Sequence, residues 1–197
     1  MLAEIEGLTV REQLGRMLRF SNNYIADVLT LNLAADLARQ PPTDLSGASS
    51  ILADFVSRAQ RSARISTSKT PALLFSGSGL TPENRLSAND LVSLLAHQYR
   101  DSRRFPAFYG GLVVPRDAPF EFLRTGSAAW LDRVALKTGT MELPHSVCGI
   151  AGYLRKRDGG WIAFAAIVNG GPNMKHVPLL RAMAAARADL ESLLAQY

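Results

Sequence analysis

Two short apolar runs, Ser146 to Leu154 and Trp161 to Val168, are separated by Arg155-Lys156-Arg157-Asp158-Gly159-Gly160. Both runs are rich in strand-forming residues, and Asp-Gly between such runs signals a tight antiparallel turn. This hairpin constrains the fold more than any other stretch. A third apolar run begins at Trp130, Leu131 and Val134 and ends at Leu136-Lys137-Thr138-Gly139-Thr140, reading as a strand from 130 to 138 that opens at a glycine. Gly139 lacks a Cβ, so another backbone or a ligand can approach there. A cation, a hydroxyl and strand edge within three residues suit a peptide ending in a carboxylate. The edge would pair by strand addition, while Lys137 and Thr138 meet the carboxylate.

Helical patterns surround these strands. Thr9 to Glu12 has capping-box spacing, and Val10, Leu14, Met17 and Leu18 follow at helical intervals, predicting a helix over 10–19. A second periodic run, Ile25, Val28, Leu29, Leu33 and Leu37, ends before Pro41-Pro42. Ser21-Asn22-Asn23 therefore falls at a helix–helix junction, where a rigid base presents small polar side chains; such residues also serve as caps. Pro41 to Gly47 is a turn-rich linker, and Ile51, Leu52, Phe55, Val56 and Ala59 predict a further helix. Residues 100–129, with Pro106, Pro115, Pro119, Gly110-Gly111 and Gly126, read as irregular. Leu179, Met183, Ala186, Leu190 and Leu193 form one stripe of a closing helix. Helices, then three antiparallel strands and a packing helix, make an α+β chain.

Composition narrows the function classes. Hydrophobic content of 47% and charged content of 20% are ordinary for a globular chain of 197 residues, which argues against disorder. The net charge of +5 is spread over scattered Lys and Arg, with no aromatic or zinc pattern to support nucleic-acid binding. No apolar run is long enough to span a membrane, and no signal peptide is visible. Cys148 is the single cysteine, so no internal disulfide can form.

Lys137-Thr138-Gly139 is one of three signatures of penicillin-interacting serine enzymes, with S-x-x-K and S-x-N. S-x-N occurs twice, at Ser21-Asn22-Asn23 and at Ser87-Ala88-Asn89. Ser87 has a local explanation, because Ser87 and Asp90 have capping-box spacing before Leu91, Leu94 and Leu95. The literal S-x-x-K, Ser66-Thr67-Ser68-Lys69, runs through β-branched residues into Pro71. That is a poor place for the helix needed to bring an amine to a nucleophile one turn away. Ser76-Gly77-Ser78-Gly79-Leu80 is a glycine-rich turn without the rest of a phosphate-binding motif.

Four collinear stretches make the chain resemble the C-terminal part of a low-molecular-mass penicillin-binding protein of the D-alanyl-D-alanine carboxypeptidase/endopeptidase type. Ser21 to Asp27 looks like that family's S-x-N segment and following helix. Gly77-Ser78-Gly79-Leu80, continuing through Glu83-Asn84-Arg85-Leu86-Ser87, is similar to its serine-glycine-leucine loop. Lys137 to Thr140 matches its third motif, and Ala151-Gly152-Tyr153 with Ala163 to Asn169 resemble its last two strands. Ser76 departs from the family's more usual Asp at that position.

The resemblance implies a partial penicillin-binding/β-lactamase-like transpeptidase fold, mostly helical over 1–129 with the strands and final helix in 130–197. It also implies acyl transfer on peptidoglycan stem peptides, with β-lactams as ligands, no cofactor and an extracytoplasmic site. Ser21 would pass a proton to the leaving amine and Asn23 would hold the substrate's amide or carbonyl. Lys137 would keep the local potential positive and Thr138 would bind the terminal carboxylate, with Gly139 leaving room. The Thr140 backbone N–H would serve the oxyanion hole. In that family the S-x-x-K nucleophile precedes S-x-N, whereas only twenty residues precede Ser21 here. An upstream chain or region is therefore the implied source of the nucleophile. The rival readings are a non-catalytic remnant that binds peptide or penicillin without cutting it, and an unrelated α+β interaction module.

Overall fold

The computed structural model describes residues 7–41, 44–63, 70–171 and 173–197. Ser66 to Lys69 lie outside the described residues. The architecture is α+β: a three-stranded antiparallel sheet in the order β1-β2-β3, with helices against both faces.

Helix α1 (Val10–Phe20) starts at the Thr9–Glu12 capping box and ends at Ser21; helix α2 (Asn23–Ala38) follows at once. Helix α3 (Leu45–Ala63) and helix α4 (Ala88–Arg100) pack together. Ser87 forms a reciprocal capping box with Asp90, which is fully buried and also bonded by the Gln60 side chain of α3. One carboxylate thus starts α4 and fixes it to its neighbour.

The stretch expected to be irregular contains a short helix, α5 (Phe105–Gly111), and 3-10 turns at Pro115–Asp117 and Glu121–Leu123. A second difference follows. The apolar run from Trp130 begins as helix α6 (Ala128–Arg133), and β1 (Val134–Met141) starts only afterwards. Ser127 caps that helix by accepting from the Trp130 N–H at 3.2 Å, and the Trp130 indole donates to the Leu123 carbonyl at 2.8 Å. A cap and a buried aromatic anchor here outweigh strand propensity.

Strands β2 (Val147–Arg155) and β3 (Trp161–Asn169) form the expected hairpin, with Gly159 taking φ 89° at its turn. Helix α7 (Leu179–Gln196) closes the fold by burying Ala182, Met183, Ala186, Leu190 and Leu194. Alternation splits the sheet between two cores. Val134, Leu136, Ile150, Leu154 and Phe164 face α7, whereas Ala135 and Tyr153 face Leu95 and Leu112 on the α4–α5 side. The Tyr153 hydroxyl donates to the Leu95 carbonyl at 2.7 Å, and burial pushes the phenol's pKa up.

The outer edge of β3 has no partner strand among the described residues, and the strand carries neither charge nor proline to discourage pairing. Sedimentation of the isolated chain is expected to show association that grows with concentration. A monomer at high concentration would mean that the edge is covered.

Candidate active site

The site begins where α1 stops. Ser21 takes the left-handed conformation, φ 55° and ψ 46°, and its N–H bonds the Met17 carbonyl. Asn22 N–H reaches the same carbonyl at 3.3 Å, and the Asn22 side chain accepts from Ile25 N–H at 2.9 Å to start α2. The chain thus turns within two residues, both fixed by backbone bonds. Asn23 is the first residue of α2 and is exposed.

Across from this junction lies β1. Its register to β2 places Lys137 opposite Ala151 and Gly139 opposite Gly149. On its other edge Leu136 exchanges two 2.9 Å backbone bonds with Val113. Backbone groups of alternate residues point the same way, so Thr138 and Thr140 also direct N–H and C=O away from β2. Past Leu136, no segment among the described residues pairs with that edge. Among the described residues no strand pairs with the Thr138 and Thr140 backbone groups on that edge, although the Thr138 carbonyl already accepts from the Lys137 ammonium. A Cβ built on Gly139 would meet nothing within 4 Å, so no described part of this chain requires glycine there; the missing side chain leaves free space beside the edge.

Lys137 shares the sheet face of Ala135, toward the helices, and its side chain is half-buried. Its ammonium donates to the Ser21 Oγ and to the Thr138 carbonyl, joining two motifs 116 residues apart. Neither acceptor is charged, and no ion pair to Lys137 exists among the described residues. The positive potential is therefore left for an incoming anion. Burial holds the Lys137 pKa below its ordinary 10.5.

That shift has a testable sign. The folded chain releases this proton at lower pH than the unfolded chain does. Between the lowered pKa and 10.5 the unfolded state binds more protons, so the residue's opposition to folding is relieved as pH rises through that window. Lys137→Met should abolish this component. Denaturant unfolding across the window is expected to show a steeper rise in stability with pH for the wild type than for the variant.

The structure brings Ser21 and Lys137 together and puts Ser87 elsewhere, as the cap of α4. Asn23 lies two residues after Ser21 in sequence, but no hydrogen bond joins it to Lys137 among the described residues. Thr138 offers its carbonyl to Lys137, and its half-buried side chain lies on the α7 face of the strand.

Two contributions escaped the sequence reading. Val113, within the supposedly irregular stretch, pins the β1 edge and defines where it becomes free. Asp27 accepts from the Ser78 N–H at 2.8 Å and ties the glycine-rich loop to α2. Ser76, where the family more often has Asp, is buried and accepts from Gly79 N–H at 3.1 Å, which is a contact within the loop. A separate cavity of about 180 Å³, lined by Phe122, Trp130, Leu180, Met183 and Arg187 among others, lies behind the sheet against α7.

The sequence model of the D-Ala-D-Ala carboxypeptidase 3 (S13) family matches residues 1–190. The fold is similar to that of penicillin binding protein 4 (dacB) from Haemophilus influenzae, with TM-score 0.66 and 22% identity over 91% of this chain and 39% of that one. A second structure of that protein, complexed with a novel beta-lactam, has TM-score 0.66 and 21% identity over 91% of this chain and 40% of that one. The chain thus spans about two fifths of the length of these solved structures. No curated protein matches it.

Proposed function

Because the chain belongs to the D-Ala-D-Ala carboxypeptidase 3 (S13) family, we propose that it forms the substrate-cradling part of a serine-type D-alanyl-D-alanine carboxypeptidase/endopeptidase. Its substrates would be peptidoglycan stem peptides outside the cytoplasm, and β-lactams would enter the same site. The observation that carries this reading is the Lys137 ammonium bonded to the Ser21 hydroxyl beside an open strand edge.

The stem peptide extends along β1, exchanging backbone bonds with Thr138 and Thr140. Its terminal carboxylate meets the potential of Lys137 from one side of the strand and the hydroxyl of Thr138 from the other, across the open edge. The nucleophile is a serine of an S-x-x-K helix, supplied by a region that precedes the S-x-N motif in the family's order. Its Oγ bonds to the scissile carbonyl carbon as the lysine one turn after it takes the proton. The tetrahedral oxyanion is held by the Thr140 N–H and by the serine's own N–H. Collapse breaks the C–N bond and D-alanine departs as an amine that needs a proton.

Ser21 is suited to deliver that proton. A hydroxyl that accepts a bond from an ammonium must point its own hydrogen elsewhere, and Lys137 can replenish what is given. Asn23, exposed at the start of α2, holds the substrate's amide. Water then hydrolyses the acyl-enzyme to complete the cycle.

Mass spectrometry after incubation with excess penicillin tests this. The 197-residue chain is expected to show no adduct, and a longer chain with an upstream S-x-x-K is expected to show one per molecule. A stoichiometric adduct on the short chain at Ser66 would overturn the assignment of the nucleophile. No adduct on either chain would favour the non-catalytic binding reading.

A further inference from the structure

One more element packs against α2, the helix that Asn23 begins. The loop Gly77–Leu80 docks on α2 one turn past Asn23 through contacts of different kinds. Asp27 Oδ1 accepts from the Ser78 N–H at 2.8 Å, across 51 residues of sequence. Gly77 lies so close to the helix that an added Cβ would stand 2.0 Å from Thr30 Oγ1 and 2.9 Å from the Ala26 carbonyl. Thr30 is buried, and its hydroxyl is committed to that same carbonyl at 2.9 Å.

The loop is also stiff in itself. Ser76 Oγ accepts from Gly79 N–H at 3.1 Å, Ser78 Oγ accepts from Leu80 N–H at 3.2 Å, and Asn84 Oδ1 accepts from Phe75 N–H at 2.7 Å. Gly79 supplies the positive φ, 77°, that the bend requires. These bonds hold Leu80 outward, 65% exposed, although an isolated leucine gains nothing from that position. Asp27 and Asn23 are four residues apart and so share one face of α2.

We infer that Asp27 is a positioning residue: it fixes the Gly77–Leu80 loop as the α2-side wall of the cleft and sets the distance between Leu80 and Asn23. A stem peptide lying on the β1 edge then meets a rigid apolar lip at Leu80 as well as the polar groups of the S-x-N junction. This inference rests on the functional reading above for the identity of the peptide. The wall itself rests on the docking contacts. A charge-assisted acceptor is stronger than a neutral one, which suits a loop that must stay put when substrate presses on it.

The test uses the 197-residue chain, Asp27→Ala, Asp27→Asn and, as a control of fold stability, Ser87→Ala. The probe is diacetyl-lysyl-D-alanyl-D-alanine, with affinity measured by NMR titration. Asp27→Ala should move the Asn23 side-chain resonances and weaken peptide binding by about tenfold, which is a loss of ~1.4 kcal/mol. Asp27→Asn, which keeps an oxygen at the same position, should restore most of that affinity. Ser87→Ala should lower thermal stability without changing affinity.

Unmoved Asn23 resonances together with unchanged affinity in Asp27→Ala would overturn the inference. Equal loss in Ser87→Ala would reduce Asp27 to a fold contact and overturn it as well. Failure of the wild-type chain to bind the peptide would count against the functional reading, and the Asn23 resonances alone would then decide the positioning role.

Discussion

Lys137→Ala, placed in a chain extended to include an upstream S-x-x-K helix, is expected to slow penicillin acylation by about 10²–10⁴-fold, the range typical for a positioned proton-transfer group. Ser21→Ala should cost a similar factor. The two groups form one hydrogen-bonded unit, so the double variant should be little worse than either single one. Neither change should unfold the protein. Lys137 is a half-buried cation whose described acceptors are both neutral, and its removal takes away a desolvation cost that no ion pair among the described residues offsets. The check is the second-order acylation rate alongside the melting temperature. Fast acylation by Lys137→Ala would remove the ammonium from the mechanism, whereas a collapse in stability would make its role structural.

The second large effect separates two glycines on neighbouring strands. Gly152→Val should destabilise the chain by about 3 kcal/mol or more, since overpacking costs 1–3 kcal/mol even where neighbours can yield. Here they are backbone: a Cβ on Gly152 would stand 2.1 Å from the Ala135 carbonyl and 2.7 Å from Leu136 Cα. At roughly 2–4 °C per kcal/mol for a chain of this size, the melting temperature should fall by about 10 °C. Gly139→Val faces open space and sits in a strand, so its effect on stability should stay within about 0.5 kcal/mol. It should nevertheless abolish measurable binding of a D-Ala-D-Ala peptide by filling the room beside the edge. Thermal melts and peptide titration of both variants distinguish the two demands for glycine. Intact peptide binding in Gly139→Val would move the substrate off this strand.

Local chemistry explains what could be read in advance. The Thr9 and Ser87 capping boxes, the Asp158-Gly159 turn and the Met183, Ala186 and Leu190 part of the α7 stripe are each written within about four residues or one repeating period, and each stands in the structure; Leu179, at the helix start, is exposed and Leu193 only partly covered. The α6 segment is not legible in this way, because Trp130, Leu131 and Val134 suit a strand as well as a short helix. The choice fell to the Ser127 cap and to the indole's bond to Leu123, a tertiary contact.

At the site the difference is sharper. Lys137-Thr138-Gly139 could be found as a motif, but its link to Ser21 rather than Ser87 came from the order of family motifs and from the better use of Ser87 as a cap. No periodicity relates residues 116 apart. The roles of Asp27 and Val113 were silent for the same reason. Asp27 accepts one long-range backbone N–H with its carboxylate and Val113 exchanges one pair of long-range backbone bonds, and neither leaves a trace in spacing. Gly152 and Gly139 look alike in sequence, and only the surroundings show that one is demanded by the fold and the other is not.

Ser21 carries a consequence for how such a chain would respond to selection. A non-glycine residue in the left-handed region is held against a penalty of about 1–2 kcal/mol, and helix ends of this kind ordinarily use glycine. Selection for heat tolerance alone would therefore favour Ser21→Gly, a single change that relaxes the backbone and deletes the hydroxyl that Lys137 holds. Serine and glycine at this one position thus mark two regimes: a lineage still screened for chemistry keeps the strained residue, and a lineage kept only for its shape is free to lose it.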